Sequence, residues 1–193
     1  MFTPRLNTDG MEGSIYWYSN TNIFYASNLG LPNCTCYAWG RFWEETPEFV
    51  PSTLINGNGG EWFSQAQGIY ETGQVAKLGA IICFEDIQGG FGHVGIVEEI
   101  DAFGNITTSN SAYNSTYFYL RNLSKSNNYQ DGRFKLQGFI YNPNLNPEPI
   151  PIKKTNKNKF KWVLYSRKLR YKHKQGKMSR INWHFFFFML VWQ

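Results

Sequence analysis

The chain has 193 residues, of which 18% are aromatic and only 17% charged, a composition that excludes wholesale disorder and suits one ordinary domain plus a tail. Its net charge of +5 averages two opposite regions: residues 1–150 hold 7 Lys and Arg against 14 Asp and Glu, a balance of −7, while residues 151–193 hold 12 Lys and Arg and no acid, +12. The basic character therefore belongs to the tail and does not mark the folded part as a nucleic-acid binder.

Taken in chain order, residues 1–10 lack a basic start followed by an apolar run, so no signal peptide is expected. Residues 1–30, rich in Asn, Ser, Tyr and Gly, read as loop with short ordered pieces. A helix is predicted over 34–45, with Pro32 ahead of it, Asn33 as N-cap and Pro47 and Pro51 beyond it; Gly40 is the one weak helix former inside. After a turn cluster at 56–60, residues 61–70 fit a short helix. The pattern then becomes β-type: an apolar run at 79–85, a Gly-rich turn at 89–92, and an alternating stretch at 93–100 that puts His93, Gly95, Val97 and Glu99 on one face. Further strands are predicted at 105–111, 115–120 and 134–141. Helices followed by a strand meander mean α+β with an antiparallel sheet. Residues 143–152 carry four prolines in ten and read as a linker; residues 153–193 form a basic, aromatic tail. The apolar run 185–192 is far short of the roughly 20 residues a membrane-spanning helix needs.

Of three cysteines, Cys34, Cys36 and Cys83, only Cys34 sits at the first turn of a predicted helix, where unpaired N–H groups and the helix dipole favour a thiolate. Of three histidines, two lie in the tail; only His93 is in the acidic region, opening a strand directly after the Gly-rich turn. A base beside a helix-terminal thiol is the pattern of nucleophilic catalysis. Asn110 and Ser111 are the neutral groups available to orient the imidazole; alternation lets only one of them point inward, and Asn110 is the choice, with Glu98 on the opposite face from His93. Trp39, Trp62 and Phe63 are candidates to line a substrate groove, against the plainer reading that such aromatics are core. Arg41 reads as structural.

Two stretches together resemble a known family. Asn33-Cys34-Thr35-Cys36-Tyr37-Ala38-Trp39-Gly40-Arg41 is similar to the first signature of CHAP domains (cysteine, histidine-dependent amidohydrolase/peptidase), and Gly92-His93-Val94-Gly95-Ile96-Val97-Glu98 to the second, in the family's order and about sixty residues apart. The resemblance covers residues 15–142 and implies a papain-like fold over a 1–142 catalytic domain. It implies a peptidoglycan amidase or endopeptidase with Cys34 as nucleophile, His93 as base and Asn110 at the third position, in the manner of phage lysins and bacterial autolysins. Such a protein is made in a host cytoplasm and reaches the wall through a membrane pore or on a virion, or is secreted. A neutral Asn stabilises an imidazolium less than a carboxylate does, which implies modest activity. Some relatives bind calcium through an acidic loop before the nucleophile; residues 18–32 hold no Asp or Glu, so neither metal nor cofactor is expected. Cys36, where the family often has Trp, diverges from Cys34 by about 200° around the helix and is read as core, or else as a partner for Cys83. Bacterial peptidoglycan is the implied partner of a monomer, with anionic wall polymers or a membrane surface open to the tail and nucleic acid disfavoured. A catalytically silent wall-binding or virion structural domain is the competing class.

Overall fold

A computed structural model describes residues 2–51 and 57–145. The linker from residue 146 onward and the basic tail lie outside them. Two short helices, α1 (Ile15–Tyr18) and α2 (Ile23–Ala26), precede the long α3 (Cys34–Glu44). A 3-10 turn (Gly59–Glu61) leads into α4 (Trp62–Ala66). Six strands follow: β1 (Thr72–Gly73), β2 (Ile81–Asp86), β3 (His93–Ile100), β4 (Ile106–Asn110), β5 (Tyr119–Leu123) and β6 (Phe134–Ile140). They form one antiparallel sheet in the order β1-β6-β2-β3-β4-β5. This is the α+β class, helices before an antiparallel sheet, that the sequence predicts.

Strand alternation divides the apolar residues between two clusters. On β2, Ile81 and Cys83 join Val94, Ile96 and the helices in the larger core, while Ile82 and Phe84 join Val97, Ile106, Leu136 and Phe139 in the second. Trp17, Trp39 and Trp62 are wholly buried in the larger one, each a contribution of about 2–3 kcal/mol or more from area alone. Gly40, a poor helix former, is where Trp17 lies against α3: a Cβ there would run into its indole ring. Cys36 and Cys83 are buried free thiols in this core.

A buried ion-pair network ties α3 to the sheet. Arg41 meets Glu98 through two bonds of 2.9 Å, Nε to Oε1 and Nη2 to Oε2. Glu98 also accepts from Ser109 Oγ at 2.6 Å and from the Arg5 peptide N–H at 2.8 Å. Glu98 continues the helix-side face of Val94 and Ile96, and a bulge in β3 between Val97 and Glu99 changes the alternation after it, so that Ile100 packs with Val97. Glu44 pairs with both Arg5 and Arg41, so the first residues of the chain are strapped onto α3. Arg41 is thus structural, as read from the sequence. Burial alone would disfavour its charge, but the Glu98 carboxylate holds the guanidinium above its ordinary value.

Three elements differ from expectation. The helix placed over 61–70 stops at Ala66, because Gly68 takes a positive φ of 82°. The strand placed over 115–120 forms instead as β5, beginning at Tyr119, after a turn in which Asn114 is left-handed. The edge strand β1 has no counterpart in the sequence reading; two residues are too few to show alternation.

Candidate active site

The first turn of α3 is built by its cap. Asn33 Oδ1 accepts from the Thr35 peptide at 2.9 Å and from Thr35 Oγ1 at 2.7 Å. This leaves Cys34 as the first helical residue, half-buried, at the positive end of an eleven-residue helix. The loop after β4 clasps this end: Asn33 donates its peptide N–H to Ser111 Oγ at 3.0 Å, and Asn114 donates its own to Pro32 O at 3.2 Å. The helix carrying Cys34 is thereby fixed beside the strand carrying Asn110.

The sulfur of Cys34 lies within hydrogen-bonding reach of the Val94 peptide, one residue from His93, as well as those of Thr35 and Cys34 itself. Burial pushes the thiol above its ordinary 9.0, and these three N–H groups pull the other way without overcoming it. His93 opens β3 opposite Phe84. Its ring is packed among aromatics, with Phe134 at 5.5 Å between centroids and Phe84 and Tyr119 each at 6.4 Å. Burial there pushes the imidazole below 6.5, opposed by the bond that the ring makes to Asn110.

Asn110 Oδ1 stands 3.1 Å from His93 Nε2. The amide has one orientation open to it, because Nδ2 donates to Thr108 O at 3.1 Å and to Thr108 Oγ1 at 3.0 Å. The oxygen facing the imidazole can only accept, so Nε2 carries the proton and Nδ1 is left with its lone pair. Gly95 makes this possible: the Asn110 carboxamide lies over it, in space a Cβ would occupy. Of the two groups left open by the sequence, Asn110 thus faces His93, while Ser111 braces the helix end. Glu98 is committed to Arg41.

The groove residues need correction. Trp39 and Trp62 are 0% exposed, so neither offers a face to a ligand; Trp39 packs edge-on against Trp43 and Trp62 stacks on Phe24. Their positions on the inner faces of α3 and α4 put them in the core. Phe63 is half-buried, packed against that core with its ring over Gly138. Tyr119, whose hydroxyl lies 3.3 Å from His93 Nε2, escaped the sequence reading because the start of β5 was misplaced.

Removing the Asn110 amide tests its part in this geometry. Asn110→Ala is expected to lower turnover of whatever substrate the site takes by about tenfold to a hundredfold, the equivalent of one lost buried hydrogen bond of about 1–3 kcal/mol, with far-ultraviolet circular dichroism unchanged. A variant with wild-type turnover would remove Asn110 from the site.

The family model of the CHAP domain matches residues 24–112. Among solved structures, an N-acetylmuramoyl-L-alanine amidase from Staphylococcus aureus aligns over 57% of this chain at 24% identity and a TM-score of 0.44, and the aligned part is 30% of that amidase. The stretch matched by the family model contains both sequence motifs, and with them Cys34, His93 and Asn110: over residues 24–112 the chain is similar to CHAP domains.

Proposed function

We propose that this protein is a peptidoglycan hydrolase that cleaves an amide bond, as an N-acetylmuramoyl-L-alanine amidase or an endopeptidase, through Cys34 and His93. The similarity of residues 24–112 to CHAP domains supports the reaction class. The observation that carries the reading is the placing of the Cys34 sulfur against the Val94 peptide, next to a His93 whose Nε2 is already held by Asn110. Nδ1 is the nitrogen free to act as a base.

In the proposed reaction the Cys34 thiol gives its proton to His93 Nδ1 as the sulfur attacks the amide carbonyl carbon. A C–S bond forms, and the carbonyl π electrons move to oxygen. Collapse of the tetrahedral adduct breaks the C–N bond; the imidazolium returns its proton to the leaving nitrogen, giving a free amine and a thioester. Water, deprotonated by His93, then attacks the thioester and expels the thiolate, which is reprotonated. Asn110 holds the ring through Nε2 in both halves.

The resting pair is neutral in this scheme, since burial favours the thiol over the thiolate and the imidazole over the imidazolium. A base must be unprotonated to act, and a lowered histidine stays unprotonated to lower pH. The acid limb of kcat/KM, measured between about pH 4 and 9, is therefore expected to have its midpoint below 6.5. A midpoint well above that value would mean a preformed thiolate–imidazolium pair instead.

The setting we propose is that of a phage lysin, on the resemblance of its two motifs. The 12 Lys and Arg of residues 151–193 support, on charge alone, contact with anionic wall polymers. Turbidity of purified Gram-positive walls, with released fragments identified by mass spectrometry, tests the reading. New N-termini or free muramoyl carboxylates would support it and name the bond. Intact walls across a broad panel, with folded protein, would leave a wall-binding domain as the better account.

A further inference from the structure

Tyr119 has no part in the scheme above. It pairs with Asn110 in the register of β4 and β5, so the two side chains flank His93 from adjacent strands. Its hydroxyl oxygen is 3.3 Å from His93 Nε2, and its ring lies within 22° of parallel to the imidazole at 6.4 Å between centroids. Thr108 fixes the Asn110 amide with its oxygen toward the ring, so Nε2 bears hydrogen and the tyrosine oxygen can only accept. One N–H thus lies between two neutral acceptors, Asn110 Oδ1 at 3.1 Å and Tyr119 Oη at 3.3 Å.

We propose that Tyr119 is a positioning residue for His93: its hydroxyl shares the Nε2–H with Asn110 and its ring backs the imidazole, keeping Nδ1 turned to Cys34. This rests on the reading of His93 as the base. Two acceptors resist rotation of the ring about χ2 better than one, and both strengthen when the imidazole becomes a cation. A neutral Asn in the third position makes a second acceptor count for more than it would beside a carboxylate.

The surroundings allow the hydroxyl's effect to be isolated. His93 is faced by Phe84 from β2, Asn110 from β4, Tyr119 and Arg121 from β5, Phe134 from β6 and Asp131 from the turn before it, and Cys34 from α3 is near enough to act on Tyr119. The charged ones, Arg121 and Asp131, are paired at 3.3 Å and act on His93 in opposite directions. Burial pushes Tyr119 itself up to about 12, so its hydroxyl keeps its proton where the histidine titrates.

The test uses the full-length protein with Tyr119→Phe, which keeps the ring, and Tyr119→Leu, which keeps neither feature. His93 imidazole signals, assigned with His93→Ala, are followed by NMR against pH, alongside wall lysis. Loss of one acceptor from the imidazolium is expected to lower the His93 midpoint by about 0.5–1 pH unit in Tyr119→Phe, and by more in Tyr119→Leu. Lysis is expected to fall about three- to tenfold in kcat with KM unchanged. An unchanged His93 midpoint in Tyr119→Phe would overturn the proposal, and so would a loss confined to KM, which would make Tyr119 a substrate contact. The NMR arm needs no substrate: a shifted midpoint in a protein that lyses no wall would uphold the positioning role and sink the hydrolase reading.

Discussion

Cys34→Ala is expected to lower wall lysis by about 10⁴-fold or more while leaving the fold intact, because without sulfur no thioester forms and the remaining site supplies only binding and orientation. The side chain is half-buried and belongs to no buried polar network beyond three peptide N–H groups. Truncating it removes one atom from the rim of the larger core, for which a change within about 1 kcal/mol in stability is the ordinary result. Lysis and thermal unfolding measured on the same preparation separate the two effects. Lysis by Cys34→Ala at a tenth of the wild-type rate would transfer the chemistry to another group. Loss of both lysis and folded signal would show only that residue 34 is needed for structure.

The second large effect is structural. Glu98→Ala is expected to destabilise the domain by about 3–5 kcal/mol, because the buried Arg41 would lose the carboxylate that binds it twice and keep only the less buried Glu44 as an ionic partner. Glu98 is 0% exposed and accepts from Arg41 twice, from Ser109 and from the Arg5 peptide, so four donors lose their acceptor at once. For a domain of this size the change corresponds to a fall in Tm of about 10–15 °C. The surface pair Lys135–Glu85 is the control: its side chains are 61% and 45% exposed, and breaking it should cost less than about 1 kcal/mol. Equal shifts for Glu98→Ala and Glu85→Ala in thermal denaturation would contradict the buried role assigned to the network. Arg41→Met combined with Glu98→Leu is expected to recover much of the loss, since desolvation of both charges is relieved together.

The contrast between these residues marks what local sequence carries. Cys34 was legible because a helix start is a local event: Pro32, Asn33 and the following Pro-free run fix it within a few positions. His93 and Asn110 were legible because side chains alternate along a strand, and a Gly-rich turn fixes where β3 begins. Tyr119 was not, since its register with Asn110 depends on how many residues the turn after β4 consumes, and Asn114 in a left-handed conformation changes that number. Trp39 and Trp62 stand in the sequence as groove candidates, although core is the plainer reading of such aromatics. Which they are depends on the helices that cover them, and those contacts span from Trp17 to Trp62. The Arg41–Glu98 bond joins residues 57 positions apart: alternation puts Glu98 on the face opposite His93, but nothing local names its partner.

The strand order has a bearing on when the proposed site is complete as the protein is made. β6 lies between β1 and β2, although among the described strands it is the last to leave the ribosome. Until it emerges, β2 has one open edge and His93 lacks Phe134 against its ring. The residues proposed as nucleophile and base, the two acceptors on the imidazole and the aromatic ring behind it come from positions 34, 93, 110, 119 and 134, in that order of synthesis. No nascent chain that stops short of residue 134 contains all five, so the site proposed above is complete only once β6 has been made and has folded between β1 and β2.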